Sequence, residues 1–278
     1  MAALALSGGP ALALDPAPPA PRTPPSPSVR QIEQAEAAFA QAVAQTGIGP
    51  GFRKFAAPGA IMFLPNPMPA NAYLQTAHSP GELVWRPQYI GVAPSDDLAF
   101  SLGPSVYKVG GKSEGGYYLT IWKRAPDGSW QFALDHGVDM PASIFDAPPQ
   151  PAIPLGIAAV KPDLSVGLRE ADSALDNGLL GGPSTGFEPR LSERIIMVRT
   201  NRPVAVGKAK AIKLLAEAPA ILEARLLGAG LSADGVLGYT WGKARWSTPA
   251  GMQAAFYVRV WRNSGQGWRL MVDHVAER

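Results

Sequence analysis

The chain has 278 residues, no cysteine, and 25 Lys and Arg against 22 Asp and Glu, for a formal net charge of +3. That length allows more than one domain, and the missing cysteine excludes disulfides, thiolate nucleophiles and Cys-based zinc sites. The small charge, with no basic run longer than a pair such as Lys123–Arg124, argues against a nucleic-acid partner.

Residues 1–14, MAALALSGGPALAL, read as a signal-peptide remnant in which Ala11-Leu12-Ala13 has the small-x-small form of a cleavage site. The positive n-region is missing, since the first basic residue is Arg22. The expectation is a periplasmic or secreted protein, with a cytoplasmic one as the alternative. The stretch is too short and interrupted to span a membrane. Residues 15–27 carry PAPPAPRTPPSP, a Pro-rich tether that cannot build helix or sheet.

Ser28 and Gln31 form a capping box that predicts a first helix, with Ile32, Ala35, Phe39 and Val43 on one face and Gly47 as its stop. A short helix over 70–78 is closed by Pro80. The period then changes to two, predicting strands over 82–92, 98–109, 116–124 and 129–138. Six prolines mark 141–162 as a linker. Beyond it Asp163 caps a helix with the stripe Leu164, Leu168, Ala171 and Leu175, stopped by Gly178. A short helix over 207–217 follows, ended by Pro219, then strands over 221–228, 236–247, 252–262 and 267–275.

The second series restates the first. A shift of 139 residues sets Phe256 on Tyr117, Trp261 on Trp122, Gly242 on Gly103, Arg225 on Arg86 and Pro219 on Pro80. One deletion then aligns Trp268 with Trp130 and Asp273-His274 with Asp135-His136. A period this long is a duplicated domain and not a solenoid unit, which assigns domains to 28–140 and 163–278.

Asp97-Leu98-Ala99-Phe100-Ser101-Leu102-Gly103, Tyr118-x-Thr120-Ile121-Trp122-Lys123-Arg124 and Asp127-Gly128-Ser129-Trp130 carry a resemblance to the nuclear transport factor 2-like superfamily. Within it the chain resembles the polyketide-cyclase-like and ketosteroid-isomerase-like domains. The second-half counterparts are Gly238-Tyr239-Thr240-Trp241-Gly242, Val258-x-Val260-Trp261-Arg262 and Gly267-Trp268-Arg269-Leu270. The resemblance implies an α+β fold of two tandem cone-shaped domains, each with N-terminal helices packed on a strongly curved antiparallel sheet around a pocket. It also implies pairing through the outer sheet faces, here as an internal pseudo-dimer in a monomeric chain.

In the last strand of each half, strict alternation sets Trp130, Phe132, Leu134 and His136 on one face and Asp135 on the other, and likewise Trp268, Leu270, Val272 and His274 against Asp273. With the apolar face inward, His136 and His274 are the candidate acid/base groups and the aspartates face outward. Tyr118, Thr120, Trp122, Trp130, Phe132 and Trp268 are the candidate pocket residues. Arg259 occupies the Thr120 position and is expected at the surface or the domain interface. No metal site is expected, because His78, His136 and His274 are far apart, and no cofactor. Gly111-x-Ser113-x-Gly115 lacks the strand-to-helix setting of a hydrolase elbow.

The leading functional expectation is binding of a small apolar or amphipathic ligand. A cofactor-free isomerase, dehydratase or cyclase using either histidine is the alternative, and a structural module with filled cones the third. The fuller motif set favours the first half as the working one.

Overall fold

The structure is a computed structural model describing residues 26–76 and 79–277. The expected signal remnant, nearly all of the tether, and His78 lie outside the described residues.

Helix α1 (Pro27–Thr46) is capped by Ser26, whose hydroxyl accepts from the Val29 amide at 3.3 Å. The expected cap at Ser28 is therefore two residues late: Pro27 fills the first turn, where a missing N–H costs nothing. Gly47, at φ 87°, ends the helix in a conformation that favours glycine. Then come α2 (Ile48–Phe55), β1 (Ala56–Phe63), β2 (Pro67–Pro69) and α3 (Ala70–Thr76). Strands β3 (Glu82–Trp85), β4 (Tyr89–Val92), β5 (Leu98–Val109), β6 (Lys112–Arg124) and β7 (Trp130–Met140) complete the series, and β8 (Ile153–Pro154) lies in the expected linker.

The C-terminal half runs α4 (Leu168–Leu179), α5 (Pro183–Phe187), β9 (Leu191–Arg199), β10 (Ala205–Val206), α6 (Lys208–Ala216), β11 (Glu223–Leu231), β12 (Leu237–Thr248), β13 (Gly251–Asn263) and β14 (Trp268–Glu277). Asp163 does not cap α4. Its carboxylate closes a turn onto the Ser165 amide at 2.9 Å, Leu164 is exposed, and Gly167 holds the cap position. Gly178 lies inside α4, where a Cβ would come within 2.7 Å of Gly186 on the next helix.

The fold is α+β, with helices on two curved sheets. The N-terminal sheet has the order β2-β1-β7-β6-β5-β4-β8, with β3 also on β5. The C-terminal sheet has the order β10-β9-β14-β13-β12-β11. Neither is purely antiparallel, because β1 lies parallel to β7 and β9 parallel to β14.

Each sheet buries both faces. The inner faces pack on the helices: Phe39, Phe52, Trp122 and Phe132 in one core, Leu175, Met197, Trp261 and Leu270 in another. The outer faces pack on each other in a third core, joining Leu119, Ile121 and Leu134 to Val258, Val260 and Val272. Loops add bonds between the halves, from the Ser95 amide to Asp234 at 2.8 Å, from the Ala233 amide to Asp97 at 2.9 Å and from the Asn201 amide to the Asp139 carbonyl at 2.9 Å. Leu155 joins the shared core, and its amide bonds the Ile90 carbonyl at 2.7 Å, so the proline-rich segment is strapped to the N-terminal sheet.

Candidate functional site

One irregularity in each last strand decides which side chains face a cavity. In the β6–β7 ladder Ile121 faces Leu134 and Trp122 faces Phe132, leaving Ala133 without a partner. In β13–β14 Val260 faces Val272 and Trp261 faces Leu270, leaving Met271 unpaired. A bulge of one residue reverses the alternation beyond it. Trp130 and Phe132 face inward, whereas Leu134 and His136 face the shared outer core, and Asp135 turns inward opposite Thr120. The expected assignment of His136 and His274 to the cones, with the aspartates outside, is thus inverted.

Both histidines are 0% exposed and meet each other between the sheets, Nδ1 to Nδ1 at 2.8 Å. His274 Nε2 lies 3.0 Å from the Tyr117 carbonyl. A carbonyl only accepts, so His274 carries its proton on Nε2, and its Nδ1 accepts from the His136 Nδ1–H. Burial pushes the His274 pKa down to about 3, against the opposing Tyr117 hydrogen bond, so the ring is neutral near pH 7. Neither histidine lines the cavities described next.

The N-terminal half encloses a cavity of about 370 Å³. Its wall is mostly apolar, with Phe39, Phe52, Met62, Leu64, Tyr73, Leu83 and Trp85, and Tyr118, Thr120 and Asp135 converge on it from β6 and β7. Two of the expected pocket residues, Tyr118 and Thr120, therefore line it. Trp122, Trp130 and Phe132 belong to the packed core beneath, and Trp268 belongs to the C-terminal core, donating to the Val166 carbonyl at 3.1 Å.

Below the cavity α1 presents Glu36, which sequence reasoning missed. It accepts from Trp85 Nε1 at 2.7 Å, from Tyr118 at 3.2 Å and from Ser101, whose hydroxyl in turn accepts from Trp122 Nε1 at 2.8 Å. Burial holds its pKa above the carboxylate range against these four donors. Asp135 accepts from Thr120 at 2.7 Å. Burial, opposed by Thr120 and helped by Glu36, pushes its pKa up to about 7. Tyr118 is held protonated by burial and by Glu36.

The C-terminal half repeats this network with one decisive difference. Asp172 accepts from Thr240 at 2.7 Å and from Tyr257 at 3.2 Å, and Trp261 Nε1 donates to Thr240 at 2.9 Å. Opposite Asp273, where β6 carries Thr120 opposite Asp135, β13 carries Arg259. Arg259 is not at the surface or the interface: it is 2% exposed and pairs with Asp172 at 3.0 Å, Asp176 at 2.7 Å and Asp273 at 3.1 Å. Burial opposes its charge, but the carboxylates more than offset that and raise its pKa. The cavity there is only about 60 Å³. Among the described residues no group of three potential metal ligands occurs, and no helix is long and apolar enough to cross a membrane.

No protein-family model and no curated protein matches the chain. It is similar to the solved structure of an NTF-2 like protein of unknown function from Shewanella oneidensis MR-1, at 15% identity and a TM-score of 0.33, over 39% of this chain and 96% of that one. It is also similar to an NTF2-like protein of unknown function from Pseudomonas putida KT2440, at 18% identity and a TM-score of 0.33, over 40% of this chain and 84% of that one. A third likeness is to a ketosteroid isomerase-like protein from Erwinia carotovora atroseptica SCRI1043, at 18% identity and a TM-score of 0.33, over 41% of this chain and 96% of that one.

Proposed function

We propose that the chain is an internal pair of nuclear transport factor 2-like units in which the N-terminal unit binds a small, largely apolar molecule and the C-terminal unit serves as scaffold. The observation that carries this reading is the contrast between a cavity of about 370 Å³ over the inner face of β6 and β7 and one of about 60 Å³ at the matching place over β13 and β14. An apolar wall with a few convergent polar groups is the usual form of a small-molecule site. The matched registers and the shared outer core support descent by duplication, with the outer sheet faces committed to each other.

Neutral naphthylmethanol tests the site: its fluorescence should change on binding the full chain, and Gly137→Trp should abolish that. A Cβ at Gly137, on the cavity lining, meets open space, so the indole can fill the site without a clash at its base. Absence of binding, together with a clean apo mass for protein taken from its own host, would sink the reading.

The position of Asp135 favours a second reading, cofactor-free proton transfer with Asp135 in the place expected for a histidine. A carboxyl with a pKa near 7 inside an apolar cavity suits acid/base work at neutral pH. Asp135 would take a proton from carbon next to a carbonyl, leaving an enolate, and return it to a neighbouring carbon or the same one. Tetralone incubated with the protein in deuterated water should gain deuterium, and Asp135→Asn should stop that. Exchange no faster than in buffer would end this reading and leave the binding one intact.

A further inference from the structure

Among the positions that line both cavities, Tyr257, Arg259 and Asp273 of the C-terminal half match Tyr118, Thr120 and Asp135 of the N-terminal half in the strand registers, and Arg199 lies two residues past Met197, the partner of Asp273, as Leu64 lies two residues past Met62, the partner of Asp135. The tyrosine is kept and so is the aspartate. Both arginines are replaced, one by an apolar side chain and one by a short hydroxyl.

What the arginines do shows what the N-terminal half lacks. The Arg259 guanidinium lies 3.9 Å from the centre of the Tyr257 ring while its nitrogens bond Asp172, Asp176 and Asp273, and Arg199 also pairs with Asp273. A cation thus sits on an aromatic face between the helix carboxylates and the strand carboxylate, an arrangement strengthened by exclusion of water. In the N-terminal half the same ring, a helix carboxyl at Glu36 and a strand carboxyl at Asp135 remain. Among the described residues no cation pairs with Asp135, which accepts from Thr120 and feels the Glu36 carboxyl and the Tyr118 hydroxyl.

We infer that the N-terminal cavity takes a hydrophobic monocation, an ammonium or guanidinium on an aromatic or aliphatic body, with the charged group on Asp135 against the Tyr118 ring and the body along Phe39, Phe52 and Trp85. The bound cation occupies the volume that Arg259 fills in the other half. This inference rests on the cavity being the ligand site. It adds a sign to the site: the ligand brings the positive charge that the protein supplies for itself in the C-terminal half. Binding also ionises Asp135, so the affinity for a cation rises with pH through the range where that carboxyl would otherwise hold its proton.

The matched pair naphthylmethylamine and naphthylmethanol tests it on the full chain by fluorescence titration. The amine should bind at least about tenfold tighter than the alcohol near pH 8, because a charge-assisted contact is stronger than a neutral one. Amine affinity should rise about tenfold between pH 6 and about pH 8 while alcohol affinity does not rise. Asp135→Asn should remove the preference for the amine. Equal affinities, a preference for the alcohol, or a pH-independent amine affinity would each overturn the cationic inference and leave the cavity reading standing. Failure of both probes to bind would overturn the cavity reading, and this inference with it. The pH series on the unaltered chain decides the matter even where Asp135→Asn does not fold.

Discussion

At the scale of single residues, the carboxyl of Asp135 is a stability cost. Its folded pKa, near 7, lies above that of an unfolded aspartate, so ionisation favours the unfolded chain. The contribution of Asp135 should fall by about 1.4 kcal/mol per pH unit as pH rises from about 4 towards 7, read as the difference between the unaltered chain and Asp135→Asn in denaturant titrations. His274 has the opposite sense. It is neutral when folded and basic when unfolded, so its contribution is intact above about pH 6.5 and is lost as pH falls towards 3. His274→Gln, neutral throughout, should flatten that acid limb. Arg259 should tolerate truncation least: Arg259→Thr leaves three buried carboxylates facing one another, at a cost of about 3–5 kcal/mol by chemical denaturation.

At the scale of elements, most strands follow from period-two patterning, and the exceptions have local causes. The expected strand over 82–92 breaks at Arg86–Gln88, because Gly103 on the facing strand lets the backbone approach so closely that a Cβ there would come within 2.1 Å of the Arg86 carbonyl. Gly103→Val should therefore cost about 1–3 kcal/mol, read as a lowered midpoint in urea, with no change at the surface. Strand β9 escaped the alternation test because Ile195, Ile196, Met197 and Val198 are all buried, alternately on the helices and on the other sheet. Strand β1 escaped it because Pro58 and Gly59 read as a turn. The bulges at Ala133 and Met271 left no mark in composition, and a one-residue reversal exchanged the titratable candidates while Tyr118 and Thr120 stayed in place: the histidines went out and the aspartates came in. Glu36, Asp172 and Asp176 were illegible for a related reason, since a carboxylate on a helix stripe reads as a solvated edge until the donors from the sheet are in place.

At the scale of the whole molecule, the two sheets share an apolar core that neither half can close alone. The intact chain should unfold in a single calorimetric transition. Leu119→Asp, which buries a charge between the sheets, should split or lower it, whereas two independent transitions in the unaltered chain would contradict the shared core. That core was foreshadowed by the repeat and the family resemblance, but its histidine pair was not, because the contact joins residues more than a hundred positions apart. The covalent join between the halves has a further effect. In an assembly of identical chains, any arginine that filled one cavity would fill its twin as well, and symmetry would forbid keeping one site while sealing the other. Here Thr120 and Arg259 occupy matched places in a single gene product and are free to differ. One interior is filled by the charge pairs of Arg259, and the other keeps its cavity.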